Sequence, residues 1–475
     1  MKALWFRRDL RLTDNYAMYA LENVLEYDKE STWFAFFHVD PVFLEEKCLH
    51  HHYFFEQVKA FETECIQKGI TLHFIYGNDA FQNLLTAVPE LSAVYFNEDE
   101  AAWEAERDNN VREYLHQHGV YTYAFSDAHF HHSGEVMKKD GGPYKIFTPY
   151  YRMWASLPKP RPYPCSLERF QHRQAEPALQ TTNEQAAKEL EAYAASMDRK
   201  FDPVYEEQAI QKMKTFIHED LPNYENSRDI PADDATSRLS PLIKTGKLSV
   251  RTIYSAMEPY LEKGNAAAEK FLAELAWRDF YNMIHAHFPD LKKKEMNEKY
   301  RNMQWEYQEK QWERWKNGRT GFPFVDAAMR QLKSEGWLHN RGRMAAASFL
   351  VKDYHIDWKL GEDYFRRQLI DYDPSSNAGG WQWTASTGSD AAPYFRVFSP
   401  VRQSKRFDPD GIYIKTHVPE LSQVPVRCIH EPWTMNDAEA ERAACLPGQD
   451  YPMPDVTHKT AAQQAIEMFK GDGNV

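Results

Sequence analysis

Five short apolar runs near the start of the chain constrain its fold more than any other feature. They are rich in aromatic and β-branched residues, and they occupy Lys2–Phe6, Thr32–Asp40, Thr71–Gly77, Ser92–Asn97 and Val120–Phe125. Stretches with helical periodicity, such as Glu45–Lys68 and Glu100–His118, lie between them. Strands that alternate with helices in this way predict an α/β domain with a doubly wound parallel sheet.

The rest of the chain has a different pattern. From about Phe130 to Arg199 the sequence is irregular, and "LPKPRPYPC" is typical of a connecting segment that lies along the surface. After residue 200 strand patterns nearly vanish, whereas Ala266–Phe288 and Phe324–Gly336 have helical periodicity. We therefore predict an α/β domain over residues 1–130, an interdomain connector over 131–200 and an all-α domain over 201–475.

Composition argues against several classes of protein. The net charge of −13 is wrong for a uniformly basic nucleic-acid-binding surface, although a basic patch can lie on an acidic body. The five cysteines have no CxxC spacing, so we expect neither a zinc site nor a disulfide framework, and the reduced cytoplasm is the simplest compartment. We find no signal peptide and no apolar run of about 18 residues, so we expect no membrane span.

The first predicted strand is not followed by a glycine-rich turn. The next residues are "RRDLRLTDN", and no glycine occurs before Gly69. This excludes the usual dinucleotide-binding loop and the P-loop. If the chain binds a nucleotide, we do not expect the α/β domain to hold it in the usual way.

The segment "ELAWRDFY" places polar and aromatic groups on one helix edge. Glu274, Trp277, Arg278 and Tyr281 are three or four residues apart, so they form a stripe that could line a pocket for a flat polar ring. An amphipathic helix with a Glu274–Arg278 ion pair and a packed tryptophan explains the same pattern.

Four further segments suit phosphates, sugars or bases, and three of them also have an ordinary structural explanation. Guanidinium groups in "GWLHNRGRM" suit phosphate but also a solvated basic edge. The hydroxyls of "TSRLSP" suit a phosphate but also an N-cap. Asp371 and Asp373 could accept hydrogen bonds from sugar hydroxyls or ring N–H groups. The basic and aromatic residues of "APYFRVFSPVRQSKRF" suit single-stranded bases or a charged loop.

Two histidine clusters could be mistaken for metal sites. They comprise His50, His51 and His52, and then His129, His131 and His132. Neither cluster has the helical i,i+4 spacing or the cysteine partners of metal ligands, so we expect no metal.

The occurrence of these motifs together in one order is far more specific for a protein family than any single motif is. "FRRDLRLTDN", "TSRLSP", "ELAWRDF", "TGFPFVDAAMRQL", "GWLHNRGRM" and "NAGGWQW" resemble the photolyase/cryptochrome family from Met1 to about Pro432. The resemblance is closest to the bacterial class I cyclobutane pyrimidine dimer photolyases. It implies that the α/β domain binds an antenna chromophore and that the helical domain binds a U-shaped FAD and DNA.

The resemblance also implies which residues contact FAD. The positions that match the family's flavin contacts are Tyr224, Thr236, Ser237, Arg238, Leu239, Ser240, Arg278, Asn340, Arg343, Asp371 and Asp373. Asn377 matches the position that faces flavin N5, where a neutral amide favours the reduced flavin anion.

The activity that the resemblance implies is light-driven repair, in which one electron passes from excited FADH⁻ to a dimer flipped out of the DNA. Trp277 and Trp383 would wall the lesion pocket, Glu274 would hydrogen-bond the thymine edge, and Met344 would lie beside them. The chain that re-reduces oxidised flavin would consist of Trp381, Trp358 and Trp305, with Trp305 nearest to solvent. The DNA-binding residues would be Arg228, Glu274, Trp277, Arg278, Tyr281, Asn340, Arg341 and Arg396.

Met344 discriminates within the family. The (6-4) repair enzymes carry a histidine in this segment, so we favour repair of cyclobutane dimers over (6-4) photoproducts. A blue-light photoreceptor, a cryptochrome that binds FAD without repair, is the alternative. We expect a monomer without an obligate protein partner.

The antenna is expected near Glu104. Members of the family that bind folate tend to carry an Asn-Glu pair after the fourth strand, and Trp103-Glu104 retains only the glutamate. Our first expectation is 5,10-methenyltetrahydrofolate, and a deazaflavin or no antenna are the alternatives.

Overall fold

The computed structural model describes residues 1–471, except for the side chain of Ala102, and contains the predicted sheet. Its five strands are β1 (Lys2–Phe6), β2 (Trp33–Val39), β3 (Leu72–Tyr76), β4 (Ala93–Asn97) and β5 (Tyr121–Phe125). All pair in parallel, in the order β3-β2-β1-β4-β5. The order reverses on either side of β1, which confirms the doubly wound prediction.

The first four apolar runs form strands that are covered on both faces of the sheet, whereas the edge strand β5 leaves Tyr121 and Tyr123 exposed. Successive side chains of β1 point to opposite faces. Leu4 and Phe6 enter one core cluster, and Ala3 and Trp5 enter another. A strand buried on both faces reads as a continuous apolar run, which explains why the sequence pattern located these strands closely.

Helices make up most of the remaining regular structure. The first eleven are α1 (Tyr16–Tyr27), α2 (Leu49–Gln67), α3 (Ala80–Ala87), α4 (Ala102–Gln117), α5 (Phe147–Ser156), α6 (Gln180–Ala195), α7 (Glu206–Thr215), α8 (Tyr224–Ser227), α9 (Ser240–Thr245), α10 (Val250–Leu261) and α11 (Ala266–His287). The others are α12 (Glu309–Lys316), α13 (Pro323–Glu335), α14 (Asn340–Lys352), α15 (Trp358–Gln368), α16 (Pro374–Thr384), α17 (Pro400–Phe407), α18 (Ile412–His417), α19 (Val426–Ile429), α20 (Asp437–Arg442) and α21 (His458–Gly471). Together with the sheet they confirm an α/β start followed by a mostly helical chain.

The stretch between residues 130 and 199 is more regular than its sequence predicted. It contains α5 and α6, which the expectation of irregular backbone missed. Helix α6 is rich in Ala, Glu and Gln, which are strong helix formers, and its Ala186, Leu190 and Tyr193 join a core cluster of the sheet. The four prolines of Leu157–Cys165 lie between the two helices and interrupt the helical pattern there.

The chain divides into two compact units that interleave along the sequence. The first unit comprises Met1–Pro222, Ser237–His287 and Ile370–Asp373. The second comprises Asn223–Thr236, Phe288–Leu369 and the described residues from Pro374 on. The boundaries 1–130, 131–200 and 201–475 refer to functional domains and not to these compact units. They stay a prediction.

Candidate functional site

Helix α11, in the first unit, carries the predicted ring-and-carboxylate edge. The side chain of Asn265 accepts a hydrogen bond from Ala268 N at 2.9 Å, so the helix begins with a cap. The rings of Trp277 and Tyr281 are 5.5 Å apart, and Glu274 lies one turn before Trp277. All three side chains are partly exposed. The edge can therefore meet a flat polar base.

Arg278 lies on the same helix but is held by the protein. Its Nη1 donates a hydrogen bond to the Ala128 carbonyl, and its buried Nη2 has no hydrogen-bond partner among residues 1–471. Burial lowers the pKa of Arg278, although the Asp373 carboxylate acts in the opposite direction. A buried guanidinium donor without an acceptor is suited to an anionic or carbonyl oxygen of a ligand.

Asp371 and Asp373 are brought to the start of α9. The Ser240 hydroxyl donates to Asp371 Oδ2 at 2.6 Å, and Lys244 Nζ lies 3.7 Å from Asp373 Oδ2. Both carboxylates therefore face groups of the "TSRLSP" segment and of the helix that it opens. This association of two predicted flavin contacts spans about 130 residues of sequence.

The remainder of that segment has an unusual backbone. Arg238 has a φ of 45°, in the left-handed region, and the Ser237 hydroxyl accepts a hydrogen bond from Leu239 N at 3.3 Å. Thr236 Oγ1 is buried without a hydrogen-bond partner in the described chain. Turns of this kind expose backbone N–H groups to anions.

The first unit also contains a cavity of about 130 Å³ that includes the predicted antenna residue Glu104. Aromatic side chains such as Trp5 and Phe43 line it together with the cations Arg8, Arg107 and Lys244. Trp103, which replaces the expected asparagine, lies beside it: its ring is 5.2 Å from that of Phe43 and 5.4 Å from the Arg107 guanidinium.

Opposite charges lie close together in this cavity. Burial alone would raise the pKa of Asp99, but Arg8, Arg7 and Arg107 outweigh burial and hold the pKa well below its usual range. Arg8 forms an ion pair with Asp99, and Arg107 Nη2 lies 3.3 Å from Asp99 Oδ2. The cavity is therefore a charged, ring-lined site suited to a planar polar chromophore.

In the second unit, Asn377 is oriented by a residue that the sequence did not reveal. Its Nδ2 donates to the Glu362 carbonyl at 3.1 Å and to Glu362 Oε1 at 3.0 Å. Glu362 is buried, at 1% exposure. Because both donated bonds go to Glu362, the Asn377 carbonyl oxygen is the atom that can accept a hydrogen bond from a ligand.

Trp381 packs tightly against a glycine. A Cβ atom at Gly361 would lie 2.1 Å from Cη2 of Trp381, so only glycine fits at this helical position. The rings of Phe365 and Trp315 are 5.0 and 6.2 Å from that of Trp381. The indole is therefore enclosed by protein and fixed in place.

The other predicted electron-transfer residues differ in burial. Trp358 is fully buried, and its Nε1 donates to Glu295 Oε1 at 3.0 Å. Trp305 is partly exposed and lies 6.2 Å from the ring of Phe469. Trp383 is partly exposed too, although only one residue separates it from Trp381. The two indoles of "GGWQW" therefore have different surroundings.

Helix α14 places Met344 beside Arg341. The Met344 sulfur is 3.7 Å from Arg341 Nη1. The guanidinium of Arg341 also forms a bidentate ion pair with Asp229, at 3.1 and 2.7 Å, and lies 4.4 Å from the centre of the Phe407 ring. A phosphate that binds Arg341 would have to share this cation with Asp229.

The remaining predicted contacts of the second unit lie at different depths. Arg228 lies 5.6 Å above the buried ring of Tyr224. Arg343 Nε donates to the Leu338 carbonyl at 2.8 Å. Asn340, the first residue of α14, is exposed, as is Arg396 on the turn that precedes α17. The exposed pair is accessible to DNA.

Two negative findings concern the part of the chain that the structure describes. Residues 1–471 contain no group of three or more His, Cys, Asp or Glu side chains placed to hold a metal ion. Nor does any helix there combine the length and apolar character needed to cross a bilayer.

Comparison with known proteins covers the whole chain. A family model described as the FAD binding domain of DNA photolyase matches residues 271–471, and a model described as DNA photolyase matches residues 2–167. A deoxyribodipyrimidine photo-lyase of Alkalihalophilus pseudofirmus is 45% identical over 481 aligned positions, which cover 99% of this chain and 98% of that protein. The chain belongs to the photolyase/cryptochrome family.

Two solved photolyase structures are similar to this chain in fold. A bacterial class III photolyase from Agrobacterium tumefaciens has a TM-score of 0.89 at 30% identity, covering 100% of this chain and 98% of that one. An archaeal photolyase from Sulfolobus tokodaii, solved with two FAD molecules, has a TM-score of 0.81 at 29% identity, covering 99% of this chain and all of that one.

Proposed function

We propose that the protein repairs cyclobutane pyrimidine dimers in DNA with the energy of light, using bound FAD. The observation that carries the proposal is the full-length similarity to deoxyribodipyrimidine photo-lyases, combined with the presence of Glu274, Trp277, Met344 and Trp383 at the matching positions. The assignment to class I in particular is part of this proposal.

The residues present fit FAD. Among the buried polar atoms without partners in the described chain, Thr236 Oγ1 and Arg278 Nη2 belong to segments predicted to contact it. Phosphate, ribityl and ring oxygens would satisfy such donors. The holding residues would be Tyr224, Thr236, Ser237, Arg238, Leu239, Ser240, Arg278, Asn340, Arg343, Asp371 and Asp373. When bound and reduced, FAD supplies the electron that excitation by light sends to the dimer.

Asn377 would favour the reduced cofactor. Glu362 engages the amino group of its side chain, so the neutral carbonyl oxygen is presented as a hydrogen-bond acceptor. A neutral acceptor stabilises a protonated ring nitrogen without placing a full negative charge beside an anionic ring.

The lesion would be bound by α11 together with Met344 and Trp383. Trp277 and Trp383 would pack on the fused pyrimidines, and the Glu274 carboxyl would accept or donate a hydrogen bond at the thymine edge. Extrusion from the duplex costs a few kcal/mol, and less at a distorted site. Tyr281 would extend the aromatic surface.

Arginines would hold the DNA without reading its sequence. Arg228, Arg278, Arg341 and Arg396 would contact phosphates that flank the lesion, alongside Asn340. Affinity for damaged DNA should therefore fall steeply with salt despite the net charge of −13. A salt-independent affinity would contradict these assignments.

Electrons would reach the cofactor along Trp305, Trp358 and Trp381. The partial exposure of Trp305 and the burial of the other two suit an entry point followed by relays that exclude water. We also propose that an antenna chromophore, 5,10-methenyltetrahydrofolate first and a deazaflavin or second flavin otherwise, binds in the cavity that includes Glu104.

One experiment tests both parts of the proposal. The purified protein should absorb as a flavoprotein, and an additional band would identify the antenna. Illumination of the reduced protein should restore thymine-dimer DNA to undamaged thymines, whereas the same sample in the dark should not. If light leaves dimers intact although flavin is bound and reduced, the photoreceptor alternative is favoured. We further expect size-exclusion chromatography to show a monomer.

A further inference from the structure

The indole of Trp277 is stacked on a ring from outside the predicted helical domain. The Phe147 ring, at the start of α5, lies parallel to it, with centroids 3.7 Å apart and an interplanar angle of 7°. Phe147 is buried, at 9% exposure, whereas Trp277 is partly exposed. One face of the indole is therefore covered by protein.

This geometry restricts how a ligand can meet Trp277. Two rings 3.7 Å apart are in van der Waals contact, so no base can enter between them. A flat ligand is left with the opposite face and the edges of the indole. Because Phe147 defines the plane of the indole, it also defines the plane in which a base would stack.

Phe147 is itself fixed on several sides. Its ring is 5.6 Å from that of Tyr151 at 22°, and 5.8 Å from that of Phe280 at 79°. At the other end of α5, Trp154 Nε1 donates to the buried Asp279 Oδ2 at 2.9 Å. Asp279 Oδ2 also accepts from Phe130 N at 3.1 Å. Helix α5 is thus attached to α11 at both of its ends.

We propose that Phe147 is a positioning residue for lesion recognition, which holds the Trp277 indole in the orientation that a dimer requires. The inference rests on the proposed function, since it assigns Trp277 to the lesion pocket. It gives the predicted connector 131–200 a role in substrate binding. Phe147 does not touch the reacting atoms, so its contribution should appear in lesion affinity and not in the yield per absorbed photon.

The test compares three variants of the full-length protein loaded with FAD. Phe147→Leu removes the stacked ring and keeps an apolar side chain, whereas Phe147→Tyr restores a ring. Tyr150→Leu is the matched control, because the buried Tyr150 packs on Phe280, 5.1 Å away, in the same pair of helices. For each we would measure the Kd for a thymine-dimer oligonucleotide, the Kd for the undamaged oligonucleotide, and repair per photon at saturating substrate.

Phe147→Leu should weaken binding of the dimer oligonucleotide about threefold to tenfold, the range expected for an aromatic pair. Binding of undamaged DNA and repair at saturation should stay unchanged, and Phe147→Tyr should recover the affinity. An unchanged affinity in Phe147→Leu, or an equal loss in Tyr150→Leu, would overturn the inference. Trp277→Leu separates this result from the proposed function: if that variant loses affinity while Phe147→Leu does not, only the positioning role fails. If the unmodified protein neither binds nor repairs dimers, the proposed function fails.

Discussion

Two tryptophans, Trp277 in the first unit and Trp381 in the second, are fixed in opposite ways. In the first unit, Trp277 is supported on one face by Phe147 and is partly exposed elsewhere. In the second unit, Trp381 is enclosed and packs so closely on Gly361 that no side chain fits there. A ring that binds a substrate needs a free face and a fixed plane, whereas a ring that relays electrons benefits from the exclusion of water.

Two buried charged groups, one in each unit, also have different surroundings. In the first unit, Asp127 accepts from Arg251 Nη2 at 2.6 Å and forms an ion pair with Arg11. In the second unit, the buried Lys352 donates to the Ser386 hydroxyl at 3.1 Å and lies 3.5 Å from the centre of the Phe469 ring. Where buried charges are paired, the stability of the fold depends on both partners staying ionised. A buried ammonium group beside only a hydroxyl and a ring has no opposite charge to favour its ionised form, so burial lowers its pKa.

The largest expected effect comes from replacing one tryptophan of each proposed role, electron transfer and dimer binding. Trp305→Phe should abolish light-dependent reduction of the oxidised flavin, because the entry point for electrons is lost, and it should leave repair by chemically reduced protein intact. Trp277→Leu should do the reverse, weakening dimer binding by about 1–3 kcal/mol. Flavin absorbance under illumination and a DNA-binding assay separate the two. If either variant lost both photoreduction and dimer binding, the proposed division of roles between Trp305 and Trp277 would be wrong.

Next in size is the loss of a paired carboxylate. Asp127→Asn leaves the buried Arg11 guanidinium with a neutral partner and Arg251 with Asp14 as its remaining ion-pair partner, and it should cost about 3–5 kcal/mol at pH 7. Urea unfolding measures this cost. A conservative Asp28→Asn variant at the half-exposed Lys2–Asp28 pair, 3.7 Å apart, should change stability by less than about 1 kcal/mol.

The pH dependence of that cost tests its electrostatic origin. Burial alone would raise the pKa of Asp127, but Arg11 and Arg251 outweigh burial and lower it to about 2. A depressed carboxyl pKa stabilises the folded state above the unfolded pKa, which is about 3.9, and this contribution of about 2 kcal/mol is lost as pH falls towards 2. The difference in free energy of unfolding between the original protein and Asp127→Asn should therefore shrink as the pH falls from about 4 to about 2. A constant difference would assign the cost to packing.

Overpacking at the enclosed tryptophan should have a smaller effect. Gly361→Ala places a methyl group 2.1 Å from Trp381 Cη2 and should destabilise the protein by about 1–3 kcal/mol while slowing photoreduction. Trp381→Phe removes the two nearest clashing atoms and leaves Leu350 Cδ2 at 2.7 Å, so the double variant should recover part of the stability lost. Additive effects of the two substitutions in urea unfolding would show that the contact is not rigid.

A gain in stability, and not a loss, is expected at the buried lysine of the second unit. Burial lowers the pKa of Lys352 to about 7. A depressed lysine pKa opposes folding as pH falls from about 10.4 towards 7, because the unfolded chain takes up the proton first. Lys352→Met should therefore stabilise the protein at neutral pH by about 1.4 kcal/mol for each unit by which the folded state lowers this pKa, and the gain should vanish above pH 10. Thermal unfolding at pH 7 and pH 10.5 measures it, and a loss of stability at pH 7 would show that the Ser386 and Phe469 contacts dominate.

Much of the fold and the edge of α11 could be predicted from local pattern. Glu274, Trp277 and Tyr281 share a stripe because helical spacing alone brings them together. The supporting residues could not be predicted in this way. Glu362 lies on α15 and Asn377 on α16, and no periodicity links an acid to an amide on a neighbouring helix. In the sequence nothing distinguishes Asp279 from the other polar residues of α11. In the structure it is buried and accepts a hydrogen bond from the Trp154 indole N–H.

By itself the sequence determined the five strands and the mostly helical character of the later chain, although not α5 and α6, because the alternation of apolar and polar side chains follows the period of each element. It also determined the family, since six separated motifs occur in one order. Only the tertiary structure decided which face of Trp277 is covered, which atom of Asn377 is presented and why position 361 must be glycine. Each of these depends on contacts between elements that packing brings together, and close-packed contacts of this kind leave no periodic trace in the chain.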